Sequence, residues 1–265
     1  MRPAPWVGLI AAGPVSPSLY KLANWNATLG PVCAETLRVA SRLANQMKAG
    51  GAAQPEALAK AQLILISGPC ADFQSMLDLA INAGIDWRGR TVLLLDSFRA
   101  ADKLEPLRAL GAHTGTLDTI DAFPGVRFAA AIDGASRRVV QRFCTATKSK
   151  AYPLPHNAKQ VFAAAGTLIS TLLTPAFTAS FESFKHAGLT QPEAEDVIEH
   201  IVREQLRAWR KAGRKSWTPP DANAAEWQHT ALAAADDGLA RYFESTARAA
   251  AGLFAKKASA KAGGA

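Results

Sequence analysis

Residues 6–22 read WVGLIAAGPVSPSLYKL, and this stretch decides how the first half of the chain is understood. An apolar run of strand length, 6–12, meets a Gly-Pro turn at 13–14, and a helix-like stretch, 16–25, follows. A strand that turns over glycine into a helix is where a βα unit cradles dinucleotide phosphates, in the pattern G-x-G-x-x-G. In that frame stand Ala11 for the first glycine, Gly13 for the second and Ser16 for the third. Gly13 keeps the close backbone approach. Pro14 and Pro17, flanking Val15 and Ser16, remove two amide donors from the region that would hold phosphate. The turn is therefore either a nucleotide loop of reduced competence or an ordinary strand–helix connection.

The pattern repeats outward. Strand-like runs at 30–35, 61–68, 91–97, 112–118, 126–133 and 150–155 alternate with helix-like segments at 36–51, 72–81, 100–111 and 135–147. Near-continuous apolar strands separated by helices predict a mostly parallel sheet covered on both faces. From His156 the strand pattern stops. A long helix is expected over 157–187, then a capping box of Thr190 and Glu193 opening a helix to about Gly213, then a last helix over 224–254. The fold class is α/β followed by all-α. The expected domains are 1–155, a helical domain 156–254 and a disordered basic tail 255–265.

Composition bounds the partners. The 265 residues carry a net charge of +8, concentrated in RAWRKAGRKSW (207–217) and in the tail. No nucleic-acid motif accompanies that charge, so nucleic acid is not an expected partner. The three cysteines lie far apart with no C-x-x-C pair, which suits reduced core thiols of a cytoplasmic protein better than a disulfide framework or a zinc site. No secretory h-region is expected where Pro3, Pro5, Gly13 and Pro14 interrupt the N-terminus. Residues 161–181 hold no charge and are long enough to cross a bilayer, but they are rich in Ala, Ser and Thr and contain Gly166 and Pro175. They are read as a buried helix at the centre of a helical domain or dimer, not as a membrane span.

In open parallel sheets, ligands bind beyond the carboxyl ends of the strands, where strand order reverses. That places the candidate cofactor residues at Gly13, Pro14, Val15 and Ser16; at Glu35, Thr36, Arg38 and Arg42; and at Ser67, Gly68, Pro69 and Ser97. Glu35 lies 22 residues beyond Gly13, where an acid accepts hydrogen bonds from a ribose and favours NAD. Arg38 and Arg42 would instead meet a 2′-phosphate and favour NADP. Both remain open, as does plain surface charge. Asp118 and Asp121 have only His113 nearby and no Cys, so no metal site is expected.

With VGLIAAGPVSPSL (7–19), IDWRGRTVLLLDS (85–97), LRALGAHTGTLDTIDAFPG (107–125) and NAKQVFAAAGTLIST (157–171), the chain resembles a superfamily. It is similar in order and context to ketopantoate reductase, pyrroline-5-carboxylate reductase and 6-phosphogluconate dehydrogenase. It is closer still to two-domain Rossmann-like proteins of unknown function. The resemblance implies NAD(P)-dependent reduction of a small carbonyl or imine, with a homodimer formed through the helical half. It also implies a lysine on the first long helix that polarises the reacting oxygen. Lys159 takes that position here, although Phe162 and Ala163 stand one turn on, where an Asn or His is usual. Asp118 stands where the closer relatives carry a His. The competing reading of Lys159 is an exposed lysine at a helix start. His156 is a further proton-donor candidate by proximity. Lys211, Arg214 and Lys215 are expected either to bind an anionic group of the substrate or to complement a helix end.

Overall fold

The apolar runs of the first half become the strands of one eight-stranded sheet. A computed structural model describes residues 6–68, 72–95, 100–120, 125–155, 158–218 and 222–255, so Pro69, Cys70, Ser97, His156 and the tail lie outside the described residues. The strands are β1 (Val7–Ala11), β2 (Leu29–Cys33), β3 (Gly51–Ala52), β4 (Leu63–Ser67), β5 (Thr91–Leu95), β6 (His113–Ile120), β7 (Arg127–Ala131) and β8 (Lys150–Pro153). Their order is β3-β2-β1-β4-β5-β6-β7-β8, and every pairing is parallel except β6 with β7. The chain starts in the middle at β1, winds out to β3, then returns to β4 and winds the other way. The switch point lies between β1 and β4. This is the doubly wound Rossmann order, and a helical C-terminal half follows it.

Alternate strand residues feed two cores. On one face Leu9, Leu65, Leu93, Leu117 and Phe128 pack under the helices α2 (Leu37–Met47) and α5 (Gly134–Ala146), with Phe143 of α5 edge-on to Trp25 at 6.1 Å. On the other, Ile10, Ile64, Ile66, Val92 and Leu94 meet α3 (Phe73–Ile81) and Leu107 of α4 (Glu105–Ala109). Strands buried on both sides need apolar side chains at every position, which is why these runs show no polar alternation. Cys33 and Cys144 are buried, unpaired thiols in these cores. Burial, with a smaller contribution from Glu56, pushes the Cys33 thiol up to about 11.

Several expected elements differ. The stretch after the opening loop is not one helix over 16–25. A single 3-10 turn, Pro17–Lys21, is followed by Asn24 in the left-handed region (φ 53°) and a four-residue helix α1, Trp25–Thr28. The left-handed residue ends one element before the next begins, and it points the buried Trp25 into the core. The helix expected over 157–187 is two: α6 (Lys159–Ile169) and α7 (Thr174–His186), with Pro175 in the first turn of α7, where its missing N–H is tolerated. The last helix is also two, α9 (Ala222–Ala235) and α10 (Asp237–Ala255); between them Asp236 Oδ1 accepts from the amides of Gly238 and Leu239. The capping box opens α8 (Gln191–Ala212) as expected: the Thr190 amide donates to Glu193 Oε2 at 2.8 Å.

Clustering of contacts divides the chain into two compact units, Met1–Ala164 and Ala165–Ala265. The expectation that 161–181 is buried does not hold within one chain: Val161 is 73% exposed and Ile169 75%. Taken together, Lys159–His186 is long and apolar enough to cross a membrane, and none of its most apolar window is buried. In the helical unit the buried residues among those described are Ala194 and Ala240, both too small to form a core.

Candidate functional site

The strand register lines up a row of residues at the carboxyl rim of the sheet. Ala11 pairs with Ser67, Ser67 with Leu95, and Leu95 with Leu117. One residue further along the rim stand Ala12, Gly68 and Asp118. β1 and β6 are three strand spacings apart, so this rim extends about 14 Å from Ala12 to Asp118. Two features occupy it.

The first is a cleft of about 490 Å³ at the switch point, lined by Gly13, Glu35, Arg42, Asp72, Ser75 and Asn82 among others. Gly13 has φ +85°, a conformation that favours glycine at the turn. Gly68 has no room for a side chain, because a Cβ there would lie 2.7 Å from the Ala12 carbonyl oxygen and 2.9 Å from Met76. These two glycines let the β1 and β4 ends approach each other, and the Ala12 amide donates to the Ser67 carbonyl at 3.1 Å.

Not every residue read from the sequence lines that cleft. Thr36 caps α2, accepting from the Val39 amide at 3.3 Å, and Arg38 is exposed outside the lining. Val15 packs into the core, and Pro14 is exposed. Ser16 caps the 3-10 turn and its hydroxyl lies 3.2 Å from that of Thr119, which ties the opening loop to β6 beside Asp118. Ser67 is buried and Gly68 flanks the cleft; Pro69 and Ser97 lie outside the described residues. Asp72, Ser75 and Asn82 were not anticipated as lining residues. Asp72 stands at the N-terminus of α3, where its side chain makes no capping bond and lines the cleft instead. The legible signal was position, since Asp72 directly follows the β4 rim.

The second feature is an ion pair between Lys159 and Asp118, with Nζ 2.9 Å from Oδ1 and side chains only 6% and 17% exposed. Lys159 is therefore not the exposed helix-start lysine of the competing reading. Asp118 comes from the rim of β6 and Lys159 from the first turn of α6, residues 41 apart in sequence that only the fold brings together. The carboxylate offsets the cost of burying the ammonium. Among the described residues no group of three or more His, Cys, Asp or Glu gathers.

Lys211, Arg214 and Lys215 belong to the helical unit. Arg214 donates to the Leu253 carbonyl at 3.1 Å and lies over the Phe254 ring, while Lys211 and Lys215 are exposed.

The sheet order and the helical half together define a two-domain Rossmann-like architecture. Solved structures with this architecture are similar over nearly the whole chain. An imine reductase of Streptomyces aurantiacus is 15% identical, with a TM-score of 0.66, covering 93% of this chain and 94% of that one. A Plasmodium falciparum pyrroline carboxylate reductase with NADP bound is 11% identical, at TM-score 0.60, with 94% and 97% covered. A variant imine reductase of Myxococcus stipitatus in complex with NAD+ is 15% identical, at 0.57, with 97% and 94% covered. At these identities the likeness is one of fold. No protein-family model matches the sequence, and no curated protein matches it.

Proposed function

We propose that the chain is an NAD(P)-dependent oxidoreductase that reduces a small carbonyl or imine. The observation that carries this reading is Lys159: an ammonium almost wholly buried at the carboxyl rim and charge-paired with Asp118. Such a group is preorganised to bind an electron-rich atom and to stabilise the charge that develops there.

NADP or NAD fits the cleft at its adenosine end, where Glu35 is placed to accept from ribose hydroxyls and Arg42 to meet a 2′-phosphate. The fit at the phosphate end is weaker. The element that follows the loop is a five-residue 3-10 turn beginning at Pro17, so few aligned amides face that point. When bound, the cofactor would supply hydride equivalents. This chain's own residues do the rest. Lys159 orients the substrate through its carbonyl oxygen or imine nitrogen and gives a proton from Nζ to that atom. Asp118 holds Nζ in place and favours its charged form, and the proton Lys159 gives up is replaced from water. Ser16 and Thr119, joined beside Asp118, close the rim between the cleft and the pair.

Two further parts of the reading rest on other residues. A homodimer through the helical unit is supported by its uncovered apolar side chains, of which Leu168, Ile169 and Leu172 on and after α6 are more than half exposed. The buried free thiols Cys33 and Cys144 support a reducing, cytoplasmic setting. A second reading, a catalytically degenerate ligand-binding or scaffold dimer, is favoured by the prolines and the short turn in the phosphate loop.

Titration with NADPH and with NADH, followed by ligand fluorescence and thermal shift, tests the choice. Saturable binding of either stabilises the folded state, by about 2.7 kcal/mol at a hundred times Kd. Absence of both signals at millimolar concentration refutes the oxidoreductase reading and leaves the scaffold.

A further inference from the structure

The helical unit contains a cleft of about 610 Å³ lined by Gln205, Trp209, Arg214, Trp217 and Phe254, none of which serves the site above. Its walls are aromatic. Trp217 and Phe254 stack nearly parallel, with ring centroids 4.1 Å apart and planes at 13°. The Arg214 guanidinium sits 4.7 Å from the Phe254 centroid and is fixed by its bond to the Leu253 carbonyl. Trp209 lines the cleft and is 60% exposed.

The stretch that supplies most of the lining is cationic. Residues 205–218 contain Arg207, Arg210, Lys211, Arg214 and Lys215 and no acid. Arg207 is paired with Glu204; Arg210, Lys211 and Lys215 make no ion pair among the described residues. The end of α8 accounts for cations in its last turn. It does not account for a tryptophan left in water beside two stacked rings and a guanidinium.

We propose that this cleft is a second binding site, for a planar aromatic ring that carries an anionic group, of the kind a nucleobase with its phosphate presents. The ring stacks on Trp209 against the Trp217–Phe254 wall, and the anion is drawn to Arg214 at the cleft and to Lys211 and Lys215, which adjoin it in sequence. Stacking on an aromatic side chain tolerates any flat ring, and the cations add a contribution that salt screens. The same chemistry is offered by a free nucleotide and by a single strand of nucleic acid.

Calorimetric titration of the full chain with uridine 5′-monophosphate and with a ten-residue oligothymidylate tests the site. A pyrimidine is used so that the adenosine end of the switch-point cleft is not the receptor, and an Arg42→Ala variant, which should bind both probes normally, checks this. Saturable binding is expected, weakened about five- to hundredfold in Trp209→Ala. Loss of salt dependence is expected in the Lys211→Ala/Lys215→Ala double variant. Both changes are at exposed positions and leave the Trp217–Phe254 stack intact. Much tighter binding of the oligonucleotide identifies a strand as the source, and equal binding identifies the free nucleotide. Failure of both probes to saturate, or affinities unchanged by both variants, overturns the proposal. So does binding that is lost in Arg42→Ala.

Discussion

Removing either member of the Lys159–Asp118 pair should cost stability, but not equally. Asp118→Asn leaves an ammonium that is 6% exposed without its counter-charge, whereas Lys159→Met leaves a carboxylate that is 17% exposed and closer to water. Breaking a buried pair from one side costs about 3–5 kcal/mol, and the Asp118→Asn variant should fall in that range. The better-solvated carboxylate left by Lys159→Met should cost about 1–3 kcal/mol, near the penalty of one unsatisfied polar group. Methionine keeps most of the lysine stem's volume, so packing loss adds little. The double variant Asp118→Asn/Lys159→Met removes both charges and should return to within about 1–2 kcal/mol of the parent, giving a coupling energy of about 2–7 kcal/mol. Urea unfolding at fixed protein concentration, followed through the tryptophans of the sheet unit, measures all four corners of the cycle. Single-variant costs that simply add in the double, or a larger loss for Lys159→Met than for Asp118→Asn, would refute the claim that this is a buried pair with the lysine deeper. The same variants speak to function separately: NADPH oxidation with cyclic imines or 2-oxo acids should lose kcat in Lys159→Met with little change in KM.

Other outcomes follow from single residues. Arg42→Ala should weaken NADPH about tenfold more than NADH, and Glu35→Ala should do the reverse, read by fluorescence titration. Asp133 accepts from the Ser136 amide at 2.7 Å and lies 3.4 Å from His113. Although partial burial opposes ionisation, those partners hold its carboxyl below the ordinary carboxylate range. A carboxylate depressed in the folded state contributes stability above its unfolded value and loses it as pH falls through the folded one. Asp133→Ala should therefore cost about 1 kcal/mol near neutrality, and the difference from the parent in urea unfolding should shrink as pH falls below the ordinary carboxylate range. Leu168→Glu/Ile169→Glu should convert a dimer to a monomer of 28.0 kDa in sedimentation equilibrium; a parent that is already monomeric refutes the dimer.

Much of the fold was legible in the sequence, because runs such as AQLILISG and TVLLLDS can be buried on both faces only in a parallel sheet. Local polar signals were equally plain: Thr190 with Glu193 opens α8 wherever that helix lies. Breaks inside helical stretches were harder to read. Asn24 and Asp236 restart helices through a backbone conformation and a side-chain bond that composition does not display, and the residues around them have ordinary helical propensity. Exposure was harder still. An apolar helix needs cover, but periodicity cannot say whether the cover is the same chain, and α6 is uncovered in one copy.

The sequence by itself determined the class of each half, the position of the turn at Gly13, and the residue types able to face a dinucleotide at Glu35 and Arg42. Tertiary structure alone decided which of them share a space. Register placed Ala12, Gly68 and Asp118 along one rim, and the return of the chain after β8 carried Lys159 to within 2.9 Å of Asp118. Residues 41 apart in sequence have no local force between them. Their meeting is fixed by strand pairing and by burial, which favours an ammonium beside a carboxylate.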